Sequence, residues 1–155
     1  MSLFHKVADR YDAWYETEWG RVILELELES ALTLYRPAPG DLVIDIGCGS
    51  GIFSRRWVEL GARLVGIDQS REMIAIARSQ DDQSIYRVMD MHKLDYPDDY
   101  FDAAVSSFAL EFTTDPEAVL AEAGRVVKPG GSIVFGTISS EGPYGRAYIE
   151  QGRQR

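Results

Sequence analysis

Three alternating glycines behind an acid dominate the chemistry of this chain. Val43-Ile44-Asp45-Ile46-Gly47-Cys48-Gly49-Ser50-Gly51 reads as a buried strand running into a glycine-rich turn. At the carboxyl end of a parallel strand, such a turn lets a ligand approach the backbone. The spacing is Gly-x-Gly-x-Gly with Asp45 two residues ahead, whereas the pyrophosphate fingerprint is Gly-x-Gly-x-x-Gly and does not suit an acid facing a pyrophosphate. A ligand other than a phosphate is expected. Asp68 and Asp90 follow the next two apolar runs. Asp68 lies near the offset at which a carboxylate accepts both ribose hydroxyls. Asp90 is placed to accept the exocyclic amine of adenine, with Met73 and Met91 as polarizable surfaces for the ring. Asp45 would then face the remaining part of the ligand, which should be positively charged, and a sulfonium with an α-amino group meets that requirement. Each assignment has a plainer rival. The glycines would also permit tight helix packing, and Asp90 would also serve as a turn residue.

These groups must be positioned by alternating strands and helices. Leu42 to Ile46, Arg63 to Ile67, Ile85 to Met89, Phe101 to Ala109 and Ser132 to Ile138 read as strands one to five. Between them lie a helix from about Gly51 to Leu60, one from Arg71 to Ser79 capped by Ser70, and one starting at Asp115-Pro116-Glu117. The last has Val119, Leu120, Ala123, Val126 and Val127 as its inner stripe, and Lys128-Pro129-Gly130-Gly131 closes it. Apart from Asp102, Ser106 and Ser107 the fourth run is apolar, as expected for a strand covered on both faces. Asp102 is a fourth acid near a strand end. Upstream, residues 4 to 19 carry Phe4, Tyr11, Trp14, Tyr15 and Trp19 on an amphipathic helix with an irregular end. Residues 21 to 35 alternate like a strand at Leu24-Glu25-Leu26-Glu27-Leu28-Glu29, yet Leu24, Leu28, Ala31, Leu32 and Tyr35 keep helical spacing, so a helix is expected. Pro37 and Pro39 end it.

The 155 residues suggest one domain: a helical lid or cap over 1–40, a cofactor-binding core over 41–138 and the start of a further C-terminal part over 139–155. With 45% hydrophobic and 26% charged residues the chain can bury a core. Its 16 basic against 25 acidic side chains give a formal charge of -9, which opposes nucleic-acid binding. A single cysteine, Cys48, allows no internal disulfide, and within the glycine turn it reads as a small residue chosen for fit rather than a nucleophile. No apolar run reaches membrane-spanning length and no signal pattern opens the chain, so a cytoplasmic location is expected. No metal cluster is expected either.

Taken together, the chain resembles the class I S-adenosylmethionine-dependent methyltransferases, particularly the small-molecule branch of ubiquinone and menaquinone biosynthesis. The resemblance rests on residues 43–51, on Val65-Gly66-Ile67-Asp68-Gln69-Ser70 with Met73, and on Met89-Asp90-Met91. It continues through Phe101-Asp102-Ala103-Ala104-Val105-Ser106-Ser107 and Val126-Val127-Lys128-Pro129-Gly130-Gly131. It implies a Rossmann-like, doubly wound α/β sheet in the order 3-2-1-4-5 and the cofactor S-adenosylmethionine, with S-adenosylhomocysteine as product. By the same resemblance, Gly47, Cys48 and Gly49 contact the methionyl part through backbone, Asp68 and neighbouring Gln69 hold the ribose, Asp90 and Met91 hold adenine, and Ser106 offers its carbonyl to the amino group. Tyr11 to Tyr15 is similar to the lid whose tyrosines close over the cofactor, although a helix packed on the core would show the same spacing.

The acceptor implied is a small molecule with an oxygen, nitrogen or carbon nucleophile. The stretch after strand four, Ser106-Ser107-Phe108-Ala109, lacks the Asn-Pro-Pro-Tyr type motif of amino-methylating members, and the cysteine of cytosine C5 methylation is missing. No residue is identified as a general base. His5 and His92 read as solvent-facing, while Glu111 either faces substrate or opens a solvated loop. The resemblance implies two further strands after strand five, and these are expected to be missing from this sequence. A fragment of a longer protein, cover of the fifth strand by a second copy in a homodimer, and a reduced relative that binds S-adenosylmethionine or S-adenosylhomocysteine without methylating are the three readings of that ending.

Overall fold

The computed structural model describes residues 8–139, 141, 142 and 146. Phe4, His5 and the side chain of Tyr11 lie outside the described part, as do Pro143 to Gly145. Five parallel strands form one sheet in the order β3-β2-β1-β4-β5: β1 Leu42–Ile46, β2 Arg63–Asp68, β3 Ile85–Val88, β4 Phe101–Ser107 and β5 Val127–Gly136. The helices are α1 Ala8–Tyr15, α2 Glu18–Leu32, α3 Ile52–Glu59, α4 Arg71–Gln80 and α5 Pro116–Val126. The expected fold and strand order are those found.

The two-residue period of the strands separates two cores. Val43, Leu64, Ala103, Val105 and Val134 point to one face, where Leu28 and Leu32 of α2, Trp57 of α3, and Ile74 and Ala77 of α4 cover them. Ile44, Ile46, Val65, Ile67 and Ala104 point to the other, beneath Val119, Ala123 and Val126 of α5. A sheet covered on both faces explains why β1 and β4 are predominantly apolar, with Asp45 and Ser106 buried among their apolar neighbours.

Local chemistry sets the helix starts. Ser70 accepts the Met73 amide at 3.2 Å and Asp115 accepts that of Ala118 at 3.0 Å, each as an N-cap. The aromatic N-terminal helix expected over 4–19 breaks earlier than its apolar spacing suggested. Thr17 caps α2 by accepting from Gly20, and its hydroxyl donates to the Trp14 carbonyl at 2.6 Å. Leu120, expected inward, is 44% exposed, because the stripe 119-123-126 alone faces the sheet. The fourth strand stops at Ser107 rather than Ala109, since Phe108 takes φ 62°. The fifth begins pairing at Val127 opposite Phe101, shifts register over 128–131, and resumes at Ser132 opposite Ala103. It ends at Gly136, two residues short of expectation.

Arg125 anchors the crossover from β3 to β4 onto α5. Its guanidinium donates to the carbonyls of Leu94 and Tyr96 at 2.9 and 2.8 Å, to Asp98 at 2.8 Å and to both carboxylate oxygens of Glu122. Glu122 in turn accepts the Leu94 amide at 2.7 Å. Arg125→Ala is expected to cost about 1–2 kcal/mol, within the range for charge-assisted bonds at a part-exposed site. Thermal melts would register the loss, and amide exchange should rise over 93–100 while β1 stays protected.

Candidate functional site

All three alternating glycines adopt left-handed backbone, with φ of 74° at Gly47, 54° at Gly49 and 80° at Gly51. That conformation is costly for any residue with a Cβ. Space adds a second constraint at Gly47, where a Cβ would fall 2.4 Å from the Ala109 Cβ. The turn directs its amides into the fold. The Gly47 and Cys48 N–H groups both donate to the Ile67 carbonyl at 2.8 and 2.9 Å, Gly49 donates to Asp68 at 3.0 Å, and Gly51 donates to the Cys48 carbonyl at 2.9 Å. Four donors that would cradle a phosphate are therefore committed elsewhere. Cys48 is 7% exposed and burial pushes its thiol well above the ordinary range, so it is not poised as a nucleophile.

Two carboxylates stand against this turn. Asp45, 2% exposed, accepts the Ser54 hydroxyl of α3 at 2.5 Å. Burial raises its carboxyl to about 7, opposed by the Ser54 bond and reinforced by the charge of Asp68. Asp68, at the end of β2, accepts the Gly49 amide through one oxygen and the Ser70 amide at 2.8 Å through the other, which fixes its rotamer. Burial raises its pKa, against the two backbone bonds. Asp102 does not join them. It is the second residue of β4, at the amino ends of the strands, where it accepts hydrogen bonds from the Leu42 amide at 2.8 Å and from Lys128 Nζ at 2.6 Å.

Beyond β3, Asp90 is 67% exposed at its side chain and holds an Asx turn by accepting the His92 amide at 2.9 Å. The imidazole of His92 bridges Asp90 at 2.6 Å and Thr113 at 2.6 Å, rather than facing solvent freely as expected. Bonds from His92 lower the Asp90 pKa. Met73 is buried on α4, Met91 is half-buried against the core on the α5 side of the sheet, and Gln69 is exposed next to Asp68 in the chain. Ser106, 4% exposed, donates its hydroxyl to the Ile46 carbonyl at 2.6 Å, tying the ends of β1 and β4 together.

The N-terminal helix lies over the glycine turn. Asp12 of α1 accepts the hydroxyl of Ser50, itself 1% exposed, at 2.5 Å. Tyr15 is buried, with its ring edge-on to Trp14 and Phe53 at 4.8 and 5.8 Å. Trp14 and Trp19 remain exposed. Beside it opens a cavity of about 640 Å³ between α1, α2 and the carboxyl ends of β4 and β5. Phe108, whose left-handed backbone is strained for an aromatic residue, lines it together with Ser106, Ser107 and Glu111. Glu27 and Phe108 were not among the residues expected to matter. The signal for Glu27 was present: it shares a helical stripe with Ile23, Ala31 and Leu34, one carboxylate on an otherwise apolar face.

A turn with inward amides flanked by Asp45 and Asp68 suits a ligand bearing positive charge and hydroxyl donors, which is what S-adenosylmethionine presents. Residues 44–135 match the family model described as a methyltransferase domain. The chain belongs to that family, with the class I S-adenosylmethionine-dependent architecture. It is 34% identical over 140 residues to the malonyl-[acyl-carrier protein] O-methyltransferase of Serratia marcescens, covering 90% of this chain and 52% of that one. The corresponding enzyme of Yersinia pestis is 32% identical over 156 residues, covering 98% and 55%. The chain thus spans about half the length of these curated relatives. Among solved structures, a SAM-dependent methyltransferase of Thermotoga maritima, described as a possible histamine N-methyltransferase, superposes with a TM-score of 0.82 at 28% identity, covering 97% of this chain and 68% of that one. Among the described residues no helix is long and apolar enough to cross a membrane, and no cluster of metal-ligating side chains forms.

Proposed function

We propose that this chain transfers the methyl group of S-adenosylmethionine to an oxygen, nitrogen or carbon nucleophile of a small molecule. The observation that carries the reading is the pairing of the inward-turned glycine loop with Asp68, whose two oxygens are held by backbone amides and keep lone pairs for the ribose hydroxyls. Asp90 and the half-buried Met91 are assigned to adenine, Met73 and Gln69 to the adenosine wall. The backbone of Gly47, Cys48 and Gly49 and the Ser106 carbonyl are assigned to the methionyl end. Because the amides of Gly47, Cys48 and Gly49 are already bonded, their contribution would come through carbonyls, which suit an ammonium group.

When bound, S-adenosylmethionine supplies a methyl group on an activated sulfonium. What the protein adds is alignment and exclusion of water. Asp45 contributes negative potential from beneath the turn, and α1, with Asp12 on Ser50 and Tyr15 packed on Phe53, covers the site as a lid. The relatives are named for an O-acceptor in one case and an N-acceptor in another, so the accepting atom follows from the cavity rather than from the family.

Calorimetric titration tests the cofactor assignment: S-adenosylhomocysteine is expected to bind and NADH is not. Equal affinity for NADH would refute it. Incubation of the full chain with S-adenosylmethionine and a metabolite pool should release S-adenosylhomocysteine; none would make this chain a binding module.

A further inference from the structure

The cavity beside the glycine turn has a one-sided chemistry. Its walls are largely apolar, built by Ile23 and Ala31 of α2 and Leu34 just past its end, with Trp57, Val134 and Phe135. Among its described lining residues there is no lysine, arginine or histidine, and the two carboxylates are Glu27 and Glu111. They are not equivalent. Glu111 accepts the Ile138 amide at 2.7 Å, at the β5 end of the cavity. Glu27 accepts the Tyr15 hydroxyl at 3.4 Å, a long bond that leaves capacity on a carboxylate for a further donor.

We propose that Glu27 is the specificity-determining residue for the methyl acceptor: it receives the N–H or O–H head of an amphipathic amine or alcohol whose apolar body fills the cavity, and it excludes acceptors with an anionic head. The inference rests on the methyl-transfer reading above and adds to it the acceptor class. A cavity of about 640 Å³ is in the range that holds a two-ring body. Ser106 at the end of β4 and Phe108 just past it both line the cavity wall, which places the acceptor next to the methionyl side of the cofactor site. Burial lifts the Glu27 carboxyl to about 7, with the Tyr15 bond opposing. A donor head, and a protonated amine most of all, favours its ionised form, while an anionic head there meets the like charge of Glu27 against an apolar wall.

The test uses the full chain saturated with S-adenosylhomocysteine and three probes of one body, naphthylethylamine, naphthylethanol and naphthylpropionate, followed by equilibrium dialysis. The amine and the alcohol are expected to bind at least about tenfold more tightly than the propionate, as like-charge exclusion requires. Glu27→Gln should remove most of the gap between amine and propionate while S-adenosylhomocysteine affinity, measured separately, is unchanged. A residue serving structure alone would not alter head-group preference. Equal binding of the three probes, preference for the propionate, no retention of any of them, or a preference that survives Glu27→Gln overturns the assignment. Failure of S-adenosylhomocysteine itself to bind would instead remove the methyl-transfer reading, and the acceptor assignment with it.

Discussion

Between about pH 4 and pH 8 this protein is expected to lose up to about 4 kcal/mol of stability through Asp45 alone. The carboxyl is 2% exposed and its pKa is raised from 3.8 to about 7, chiefly by burial. A raised folded-state value means that the native protein holds its proton more tightly than the unfolded chain. The stabilising contribution is therefore complete below the unfolded value and disappears as pH rises through the folded one, at about 1.4 kcal/mol per pH unit. Glu27, raised by burial from 4.5 to about 7, acts in the same direction and by less, because water reaches it. Asp45→Asn keeps the shape and cannot ionise. Urea midpoints of this variant should match wild type near pH 4 and exceed it at pH 8. Parallel profiles for the two proteins would show that Asp45 does not titrate in this window. The same linkage predicts that S-adenosylmethionine binds more tightly at pH 8 than at pH 6, since a bound positive charge favours ionised Asp45.

Asp68→Ala is expected to weaken S-adenosylhomocysteine binding by roughly 1 to 3 kcal/mol, the scale of hydrogen bonds to a charged group. Two effects combine. The ribose loses its acceptor, and the Gly49 and Ser70 amides lose theirs, so the turn and the first residue of the α4 cap are no longer held together. Asp68→Asn separates them, because its amide oxygen retains one backbone bond while the charge is removed. Calorimetry should rank the affinities wild type, Asn, Ala. Unchanged affinity in the Ala variant would remove Asp68 from the cofactor site.

The elements of the core were legible because local signals and burial agreed. Apolar runs marked β1, β2 and β4, and Ser70 and Asp115 announced α4 and α5 through capping chemistry. Boundaries failed where a single conformation or a distant contact decides. Nothing in Phe101 to Ala109 shows that Phe108 turns left-handed, and the register shift over 128–131 arises from pairing with Phe101 and Ala103. Among the acids, the strand-end pattern grouped Asp68 and Asp90 with Asp102, but Asp102 is the second residue of β4 and lies at the amino ends of the strands, while Asp90 is exposed and holds a turn.

The sequence by itself marked the glycine loop: glycine is the residue that reaches positive φ without strain, as all three alternating glycines do, and their spacing restricts the ligand class before any contact is known. The sheet order β3-β2-β1-β4-β5 was expected from the family resemblance alone, because strands joined by right-handed crossovers are equally compatible with other doubly wound orders such as 2-1-3-4-5. Tertiary structure alone decided the destinations of the loop amides, the burial of Asp45 against Ser54, and the lodging of Glu27 in an apolar cavity with Tyr15. Periodicity assigns a side chain to a face, whereas charge state and partner depend on what a distant part of the chain packs against that face.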